Sequence, residues 1–517
     1  MDYDYVIVGA GSAGCVLANR LSEDQGVRVA LLEAGGPDSK MEIRMPVAFA
    51  KLFKSEVDWN FTTAKQAELE NRELYWPRGK VLGGSSSLNA QMWVRGHQAD
   101  YDGWGMSGWS YENVLPYFQR AERRDGSNAG DVYGSGGPLW ISELRSPNPA
   151  TTAFLDACAA VGLERLDELN GPSNEGFSPT PVTQRRGRRW SAADAYLRAA
   201  VKRPNLTVVT GELARRVIIE AGRATGVEYG DGLRANARRE VILAAGAIGS
   251  PQLLMLSGIG DPEVLRALDI EPVAERPEVG RNLQDHLAAA AIVHCPKPVT
   301  LASAESLRNL GRFLLFKSGP LTSNVGEAVA FISTDPDQEA PDIELIFAPA
   351  PYIEHGLVEP PGHGVTIGAV LLHPESRGRI TLAGTDPGTA PQIDPGYLTA
   401  GSDLRRLIAG LRFAERLLAT DALRPYAGEP MDPWPGEVDD ETLARYVRER
   451  SETLYHPVGT CRMGADDDSV VDPTLKVRGV EGLRVADVSI MPVINRGHTH
   501  APAIMIGEKA ADLIRAV

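Results

Sequence analysis

The first part of the chain alternates between continuous apolar runs and a stretch with helical spacing. A short, β-branched run covers residues 5–8, and a second apolar run covers residues 27–32. Between them, Val16, Leu17 and Leu21 recur at the spacing of one helix face. This pattern predicts a strand, a helix and a parallel strand in that order, which is the βαβ unit of an α/β sheet.

Later segments predict further strands and a second kind of sheet. Residues 206–219 have a strand pattern, and residues 241–256 change from a strand to a helix pattern at Gly246. Residues 343–347 and 365–372 alternate between apolar and polar positions, which is typical of antiparallel strands. The fold is therefore predicted to be α/β in part and α+β overall.

The remaining segments complete this picture. Few helical repeats and several turn residues occur in residues 40–80, so we expect an extended crossing segment there. The chain closes with a strand pattern at residues 483–486 and a helix from about Ala503. The βα patterns lie at both ends and in the middle, with a sheet-rich insert between them. This order indicates two domains built from discontinuous segments.

Composition narrows the class of protein. The 517 residues exceed the size of one ordinary domain, and the shares of 43% apolar and 23% charged residues are those of a globular protein. Disordered, collagen-like and coiled-coil chains are excluded. With 53 Lys and Arg against 68 Asp and Glu, the net charge is −15, which predicts repulsion from nucleic acid and from anionic lipid.

The four cysteines stand far apart, with no CxxC pair and no zinc-ligand spacing, so we expect a reducing compartment and no metal site. No run reaches the roughly 18 apolar residues of a membrane span. The first residues lack the positive charge of a signal peptide. We therefore expect a cytoplasmic protein; the sequence indicates no oligomeric state.

A glycine pattern follows the first strand directly. Gly9 allows a tight turn, Gly11 leaves room for a pyrophosphate at the backbone, and Gly14 lets the helix approach the strand. The helix N-terminus then presents free N–H groups to phosphate. Glu33 ends the second strand and is placed to accept hydrogen bonds from a ribose. These features together predict a dinucleotide site.

Three further stretches carry candidate chemistry. Residues 78–89 are rich in glycine and serine, so their N–H groups either line an electron-rich ligand or belong to a flexible loop. His456 and His498 lie in residues 455–464 and 495–502. Neutral imidazole suits the removal of a hydroxyl proton near pH 7, although a single histidine is more often structural. His500 competes with His498 for such a role.

The chain resembles the glucose–methanol–choline oxidoreductases over essentially its whole length. The resemblance rests on residues 78–89, 246–260 and 486–492, on the Gly-rich turn and on the C-terminal helix. The resemblance implies a Rossmann-like FAD-binding domain and a substrate domain with a largely antiparallel sheet and flanking helices. It assigns residues 1–150, 191–290 and 451–517 to the FAD domain, and residues 151–190 and 291–450 to the substrate domain.

The resemblance also implies which residues form the site. His456 matches the active-site histidine of the family, and His498 matches the second position, which is His or Asn in relatives. Leu88 stands where some relatives attach FAD covalently through histidine, so a non-covalent flavin is expected. The positions that match FAD contacts are Gly9, Gly11, Gly14, Glu33, Ala34, Gly83, Gly84, Asn89, Ala90, Ala214, Asp487 and Thr499.

By this resemblance the predicted reaction is oxidation of a primary alcohol to an aldehyde, with hydride transfer to flavin N5 and His456 as the base. The pair of histidines resembles the active-site pair of aryl-alcohol oxidases. This resemblance favours an aromatic or furanic alcohol as substrate and O2 as the electron acceptor, which gives H2O2. Alternatives are a choline-type or aliphatic alcohol dehydrogenase that passes electrons to a quinone or dye, a hydroxynitrile lyase, and a photodecarboxylase.

Two sequence features bear on the substrate. A choline-type cation requires an aromatic cage and a carboxylate, for which Trp59, Trp93, Phe313 and Phe347 are candidates. Residues 185–189 form a short basic run, Arg-Arg-Gly-Arg-Arg, which is predicted to be a solvated loop, with attraction of an anionic group near a pocket as the alternative.

Overall fold

The computed structural model describes residues 2–124, 132–171, 173–335 and 338–516. Its first large sheet has seven strands. At one edge, Ala214–Glu220 pairs antiparallel with Arg223–Tyr229, which pairs antiparallel with Leu233–Leu243; all the other pairs are parallel. In spatial order the strands are Leu206–Thr210, Val29–Glu33, Asp2–Val8, Leu233–Leu243, Arg223–Tyr229 and Ala214–Glu220, and Leu483–Val485 also pairs with Leu233–Leu243.

The predicted βαβ unit is confirmed in this sheet. Asp2–Val8 and Val29–Glu33 pair in parallel through the helix Ser12–Leu21, and Tyr5 lies opposite Val29. Both strands are buried almost throughout, as expected when helices cover a parallel sheet. The C-terminal helix His500–Arg515 packs on Ser12–Leu21 and begins three residues earlier than predicted.

The second large sheet has six strands, and every pairing is antiparallel. The strand predicted at residues 343–347 is Ile343–Ala348, and that at 365–372 is Gly364–Leu371. The helix Gly401–Leu418 packs on this sheet. In spatial order its strands are Glu452–Thr453, Leu287–His294, Gly364–Leu371, Ile343–Ala348, Ala328–Ile332 and Gly176–Pro179.

These two sheets confirm the predicted fold class, a Rossmann-like parallel sheet beside a largely antiparallel one. The domain boundaries stay a prediction. The strand Leu287–His294 of the second sheet crosses the predicted boundary at residue 290. The strand Glu452–Thr453 lies in the segment 451–517, which is predicted to belong to the FAD domain, but it pairs with the second sheet.

Shorter elements connect the sheets. Residues 40–80 are less extended than predicted, because Met41–Arg44 is helical and Pro46–Leu52 forms a 3-10 helix. The strand pattern at residues 206–219 divides into two strands at a turn around Gly211, whose φ is +79°. The remaining helices are Gln98–Asp102, Tyr111–Ala121, Pro149–Ala160, Ala193–Leu197, Arg198–Ala200, Gly246–Leu256, Pro262–Arg266, Leu307–Phe316 and Asp440–Arg450; the 3-10 turns are Ala67–Leu69, Gly84–Ser87, Leu301–Ser303, Pro320–Thr322, Glu354–Gly356 and Val488–Ile490.

Five two-stranded ribbons complete the described elements: Phe61–Thr62 with Tyr75–Trp76, Glu122–Arg124 with Leu139–Ile141, Gln184–Arg185 with Arg188–Arg189, Ile259–Gly260 with Ala274–Glu275, and Arg379–Thr381 with Gln392–Asp394. Within the described ranges, none of the helices combines the length and the apolar character that crossing a bilayer requires.

Candidate active site

Two neighbouring cavities form one long groove in the molecule. The first has a volume of about 940 Å³ and the second of about 230 Å³. They are continuous, because six residues line both: Ser12, Arg78, Gly79, Ser85, Val488 and Ala503. A groove of this kind suits a long ligand whose one end reaches a wider chamber.

The second cavity lies at the carboxyl end of the parallel sheet, where the glycine turn is built for close approach. Gly9 has a φ of +99°, and a Cβ on Gly14 would lie 1.8 Å from the Gly9 carbonyl oxygen. A Cβ on Gly11 would meet no atom within 4 Å, so that side of the turn is open space. Gly11 caps the following helix without a side-chain hydrogen bond, which leaves N–H groups for a phosphate.

Glu33 is buried beside this turn. Its Oε2 accepts a hydrogen bond from the Ala10 N–H and its Oε1 from the Gly35 N–H, both at 2.8 Å. Burial raises the pKa of Glu33 to about 7. The carboxyl group keeps free lone pairs toward the cavity that Glu33 and Ala34 line, which fits the predicted contact with a ribose hydroxyl.

Most of the predicted cofactor residues line the groove. Gly14 and Gly83 are absent from its lining; Gly14 packs on Gly9, and Gly83 donates its N–H to the Ala10 carbonyl at 2.8 Å. The second cavity is lined by Gly9, Gly11, Glu33, Ala34, Gly84, Ala214 and Asp487, and the first by Asn89, Ala90 and Thr499. The open glycine cradle and these donors fit a dinucleotide cofactor of the length of FAD.

The basic run at residues 185–189 is only in part the predicted solvated loop, since three of its arginines are at least partly exposed. It forms the hairpin of Gln184–Arg185 and Arg188–Arg189, and Arg189 is only 3% exposed. Arg189 donates to the Ile43 and Ser86 carbonyls and to Asn89 Oδ1, at 2.8, 3.1 and 2.7 Å. The prediction was wrong for Arg189, because this cation bonds to loop oxygens. Arg189 thereby fixes the Gly-Ser loop beside the first cavity.

The two predicted catalytic histidines meet in the first cavity. The ring centroids of His456 and His498 lie 4.9 Å apart in an edge-to-face arrangement. Sequence reasoning missed a third histidine, His286, whose Nδ1 lies 2.9 Å from His456 Nδ1. His286 comes 170 residues earlier, just before the strand Leu287–His294, and no local pattern distinguished it.

Hydrogen bonds assign the proton positions in this chain of rings. His286 Nε2 lies 3.0 Å from the Leu372 carbonyl oxygen, which only accepts, so His286 Nε2 carries the proton. Burial lowers the pKa of His286 to about 3, so the ring is neutral and its Nδ1 is an acceptor. His456 Nδ1 therefore donates to it, and His456 Nε2 keeps its lone pair. That nitrogen is therefore free to accept a hydrogen bond.

His498 has a separate partner, the carboxyl group of Glu344. His498 Nε2 lies 3.0 Å from Glu344 Oε1 at the second sheet. Both side chains are buried, so the carboxylate orients the ring by accepting the Nε2–H. Glu344 was also missed, although a single acid in the apolar strand Ile343–Ala348 is a signal, since a buried carboxyl group requires a partner.

The backbone around His456 is held as firmly as its ring. Asp285 Oδ1 accepts the His456 N–H at 2.7 Å, and Asp285 Oδ2 accepts the Thr453 hydroxyl at 2.6 Å. Tyr455 has a φ of +68°, which costs about 1–3 kcal/mol for a bulky residue. The Arg78 guanidinium donates to the Tyr455 carbonyl at 2.7 Å and helps to keep this conformation.

His500 lies on the other side of the same segment. Its Nδ1 is 3.0 Å from Ser12 Oγ, and its ring packs edge-to-face on Trp93. Burial lowers the pKa of His500 to about 3. Although His500 also lines the first cavity, these contacts tie it to the helix Ser12–Leu21 and to Trp93.

The wide part of the first cavity is mostly apolar and aromatic. The aromatic candidates named from sequence lie elsewhere, because Phe347 stacks on Phe154, Phe313 and Trp93 pack in the core, and Trp59 lines the second cavity. The aromatic side chains that line the first cavity are Phe49, Phe53, Tyr75, Tyr352, Tyr446 and Tyr455.

Five acids line this cavity: Glu73, Glu354, Asp432, Glu449 and Glu452. Four of them are exposed, and Glu452 is the half-buried one. Glu452 Oε2 is 3.4 Å from His355 Nδ1, and that nitrogen is 2.6 Å from the Tyr455 hydroxyl. Burial raises the pKa of Glu452 to about 7 and lowers the pKa of His355 to about 4. The first cavity thus offers a proton acceptor at one end and a carboxyl group that titrates near neutrality within its aromatic wall.

Comparisons with known proteins agree over the whole chain. A family model described as GMC oxidoreductase matches residues 3–288, and a second one matches residues 374–507. An uncharacterized GMC-type oxidoreductase of Mycobacterium tuberculosis is 52% identical over 99% of both chains. An alcohol dehydrogenase [acceptor] of Pseudomonas putida is 40% identical over 99% of this chain and 95% of that protein. An oxygen-dependent choline dehydrogenase of Brucella ovis is 42% identical over 99% of this chain and 96% of that protein.

Solved structures show the same fold. Pyridoxine 4-oxidase from Mesorbium loti has a TM-score of 0.91 at 34% identity and covers 100% of this chain and 99% of that one. Formate oxidase of Aspergillus oryzae has a TM-score of 0.92 at 28% identity and covers 100% of this chain and 98% of that one; that structure concerns FAD modification. A fungal aryl-alcohol oxidase is more distant, with a TM-score of 0.85 at 25% identity over 99% and 98%.

Proposed function

Because the chain belongs to the GMC oxidoreductase family and is an FAD-dependent oxidoreductase acting on CH–OH donors, we propose that it oxidises an aromatic or furanic primary alcohol to the aldehyde. The observation that carries this proposal is the oriented pair of His456 and His498 at the end of an apolar, aromatic cavity.

His456 acts as the base in this proposal. Its Nδ1–H is engaged by His286, so only Nε2 is left to receive the hydroxyl proton of the substrate. Burial holds the pKa of His456 well below its ordinary 6.5, so the ring is neutral and ready to accept at pH 7. His498, held by Glu344, lies edge-to-face against the His456 ring and lines the same cavity, so it helps to confine the substrate beside that nitrogen.

Bound FAD supplies the two-electron acceptor for this oxidation. Gly9, Gly11 and Glu33 would hold its nucleotide end, and Asn89, Ala90 and Thr499 would line its other end beside the histidines. Leu88 faces the first cavity with an aliphatic side chain that offers no nucleophile, so we propose that the flavin is held without a covalent bond.

The cavity wall supports a neutral, apolar substrate. Its rings, with Met92, Ile346 and Val370, offer dispersion contacts to an aromatic ring. Two of the similar solved structures are named as oxidases of pyridoxine and of aryl alcohols. We propose O2 as the electron acceptor, with H2O2 as product; consumption of O2 in an oxygen electrode tests this directly.

A choline-type alcohol is the second candidate, and Glu452 is the observation that favours it. A carboxylate among aromatic rings is the arrangement that binds quaternary ammonium groups, and one relative is named a choline dehydrogenase. Two features weigh against it. Glu452 is close to His355, and its raised pKa of about 7 leaves it largely uncharged below neutrality.

The test is anaerobic reduction of the bound flavin, followed by visible absorbance. We expect benzyl alcohol to bleach the flavin of the wild type. His456→Ala should keep its FAD content but show no bleaching, because a catalytic base contributes a factor of about 10²–10⁴ to the rate. Bleaching by choline alone would move the second candidate to the front. Cleavage of a cyanohydrin with the flavin still oxidised would indicate a lyase, and reaction only in light a photodecarboxylase; either result would overturn the proposal.

A further inference from the structure

The helix Leu307–Phe316 carries a concentration of exposed apolar side chains. Leu307 is 89% exposed, Leu315 77% and Phe316 67%. With Leu314, this ten-residue helix holds four of the twelve large apolar side chains that are exposed in the described part of the chain. A cluster of this density marks an interaction surface, whereas single exposed apolar residues do not.

The opposite side of this helix is already occupied. Phe313 is buried, and it packs with Leu310 in a small core that contains Met45, Ala48 and Leu321. The helix is therefore held in place by its inner side chains. Its outer side chains are left without cover from the described chain, so their exposure is not the result of a loose helix.

The exposed side of the helix also carries positive charge. Arg308 and Arg312 are exposed, Lys317 follows the helix, and the sequence has no acidic residue from 306 to 318. The chain as a whole has a net charge of −15. Because salt screens surface charges beyond about 8–10 Å, a partner at this helix meets the local charge and not the net charge. We define the docking face as Leu307, Arg308, Arg312, Leu314, Leu315 and Phe316.

The docking face lies close to the mouth of the first cavity. Leu357 and Val358 line that cavity and are themselves exposed. A Cβ on the adjacent Gly356 would lie 3.3 Å from Ala50 Cβ, so these two residues are neighbours. Lys51 forms an ion pair of 2.6 Å with Glu305 just before the helix. The 3-10 helix Pro46–Leu52 thus connects the cavity mouth and the docking face.

We propose that the docking face binds an anionic lipid surface. A helix that lies in a membrane interface typically has apolar side chains interspersed with arginines. The aliphatic stems of the arginines lie in the interface while their charges reach the lipid phosphates. A symmetric contact with a second copy would bring the arginines of both docking faces into one interface, where neither face supplies a carboxylate to pair with them. The proposal is independent of which alcohol is oxidised, and it places the cavity mouth beside the lipid.

The experiment is co-sedimentation of the holoenzyme with sucrose-loaded vesicles of phosphatidylcholine, or of phosphatidylcholine and phosphatidylglycerol in equal amounts. The wild type is expected to pellet with the anionic vesicles and to be released by high salt. L315D/F316D should lower the partition coefficient by roughly tenfold or more, since two apolar side chains lose their burial. R308E/R312E should remove the preference for phosphatidylglycerol.

Leu233→Asp is the matched control, because Leu233 is 51% exposed and lies on the first sheet. It should sediment like the wild type, and all variants should reduce flavin with a soluble alcohol at the wild-type rate. A wild type that stays in the supernatant, equal binding to both vesicle types, or normal sedimentation of L315D/F316D would overturn the proposal. A dimer in light scattering that L315D/F316D dissociates would do so too, in favour of an interface between copies.

Discussion

His286 and His456 face each other through the same ring atom, with their Nδ1 nitrogens 2.9 Å apart. Only one of two such atoms carries a proton, and the Leu372 carbonyl determines which one, because it holds the proton of His286 on Nε2. The tautomer of His456 is thus specified by a backbone oxygen two contacts away. In the proposed reaction His286 is a positioning residue, since it would act on the substrate only through His456.

Replacing His286 should slow flavin reduction without removing the flavin. In His286→Ala, the Nδ1–H of His456 loses its acceptor and the ring is free to adopt the unproductive tautomer. We expect a fall of about 10–100-fold in the rate constant of anaerobic reduction, measured by stopped flow. In His286→Asn, Oδ1 occupies the position of Nδ1 and should restore most of the rate.

His363→Ala is the control for this series, because His363 Nδ1 bonds to Thr300 at 2.7 Å away from both cavities. It should leave the rate unchanged. A purely structural role of His286 would give a different result. His286→Ala and His286→Asn would then lose FAD, or unfold at a lower temperature, to the same extent, and the pH profile of the remaining enzyme would be unaltered.

The pH dependence of flavin reduction should be flat through neutrality. Burial lowers the pKa of His456 well below 6.5, and the base must be neutral to accept a proton. Lowering the pH through that depressed pKa protonates Nε2 and stops the reaction, whereas raising the pH from 6.5 changes nothing at this group. The rate constant at saturating benzyl alcohol, measured from acid to alkaline pH, should fall only on the acid side. A midpoint at or above 6.5 would contradict the assignment of His456.

Glu452 should affect only cationic substrates. Its carboxyl group has a pKa of about 7, so it gains negative charge as the pH rises through that value. The KM for choline should therefore increase by up to about tenfold for each pH unit below 7, while the KM for benzyl alcohol stays constant. Glu452→Gln should remove this dependence for choline and leave benzyl alcohol unaffected. Equal pH effects on both substrates would exclude Glu452 as the cause.

The flavin should leave the protein on denaturation. Leu88 occupies the position where some relatives carry a histidine bond to FAD, and its side chain is aliphatic and 3% exposed. Acid precipitation should thus release all of the yellow colour into the supernatant, where mass spectrometry should find intact FAD. Colour that stays in the pellet would show a covalent bond to another residue.

The sequence predicted the parts of the site that depend on local pattern. The turn at Gly9 and Gly11 is recognisable because tight backbone approach demands glycine at fixed spacing. His286 and Glu344 were not predicted, because their contacts join positions 170 and 154 residues apart in sequence. Such contacts depend on how the two sheets meet, which no local periodicity encodes.

Arg189 illustrates the same limit for charged residues. A run of four arginines around a glycine has the composition of a solvated surface, and three of its side chains do remain at least partly exposed. The fourth is buried because the strand alternation of a short hairpin turns it inward, where loop oxygens accept its hydrogen bonds. The burial of Arg189 follows from pairing, not from composition.

The short segment from His498 to His500 joins the two halves of the molecule. His498 bonds to Glu344 of the antiparallel sheet, while His500 bonds to Ser12 at the start of the first helix. Neither half can lose its structure without breaking a contact of the other. Heating should therefore produce a single calorimetric transition, and a ligand that fills the groove should move that one transition upward as a whole.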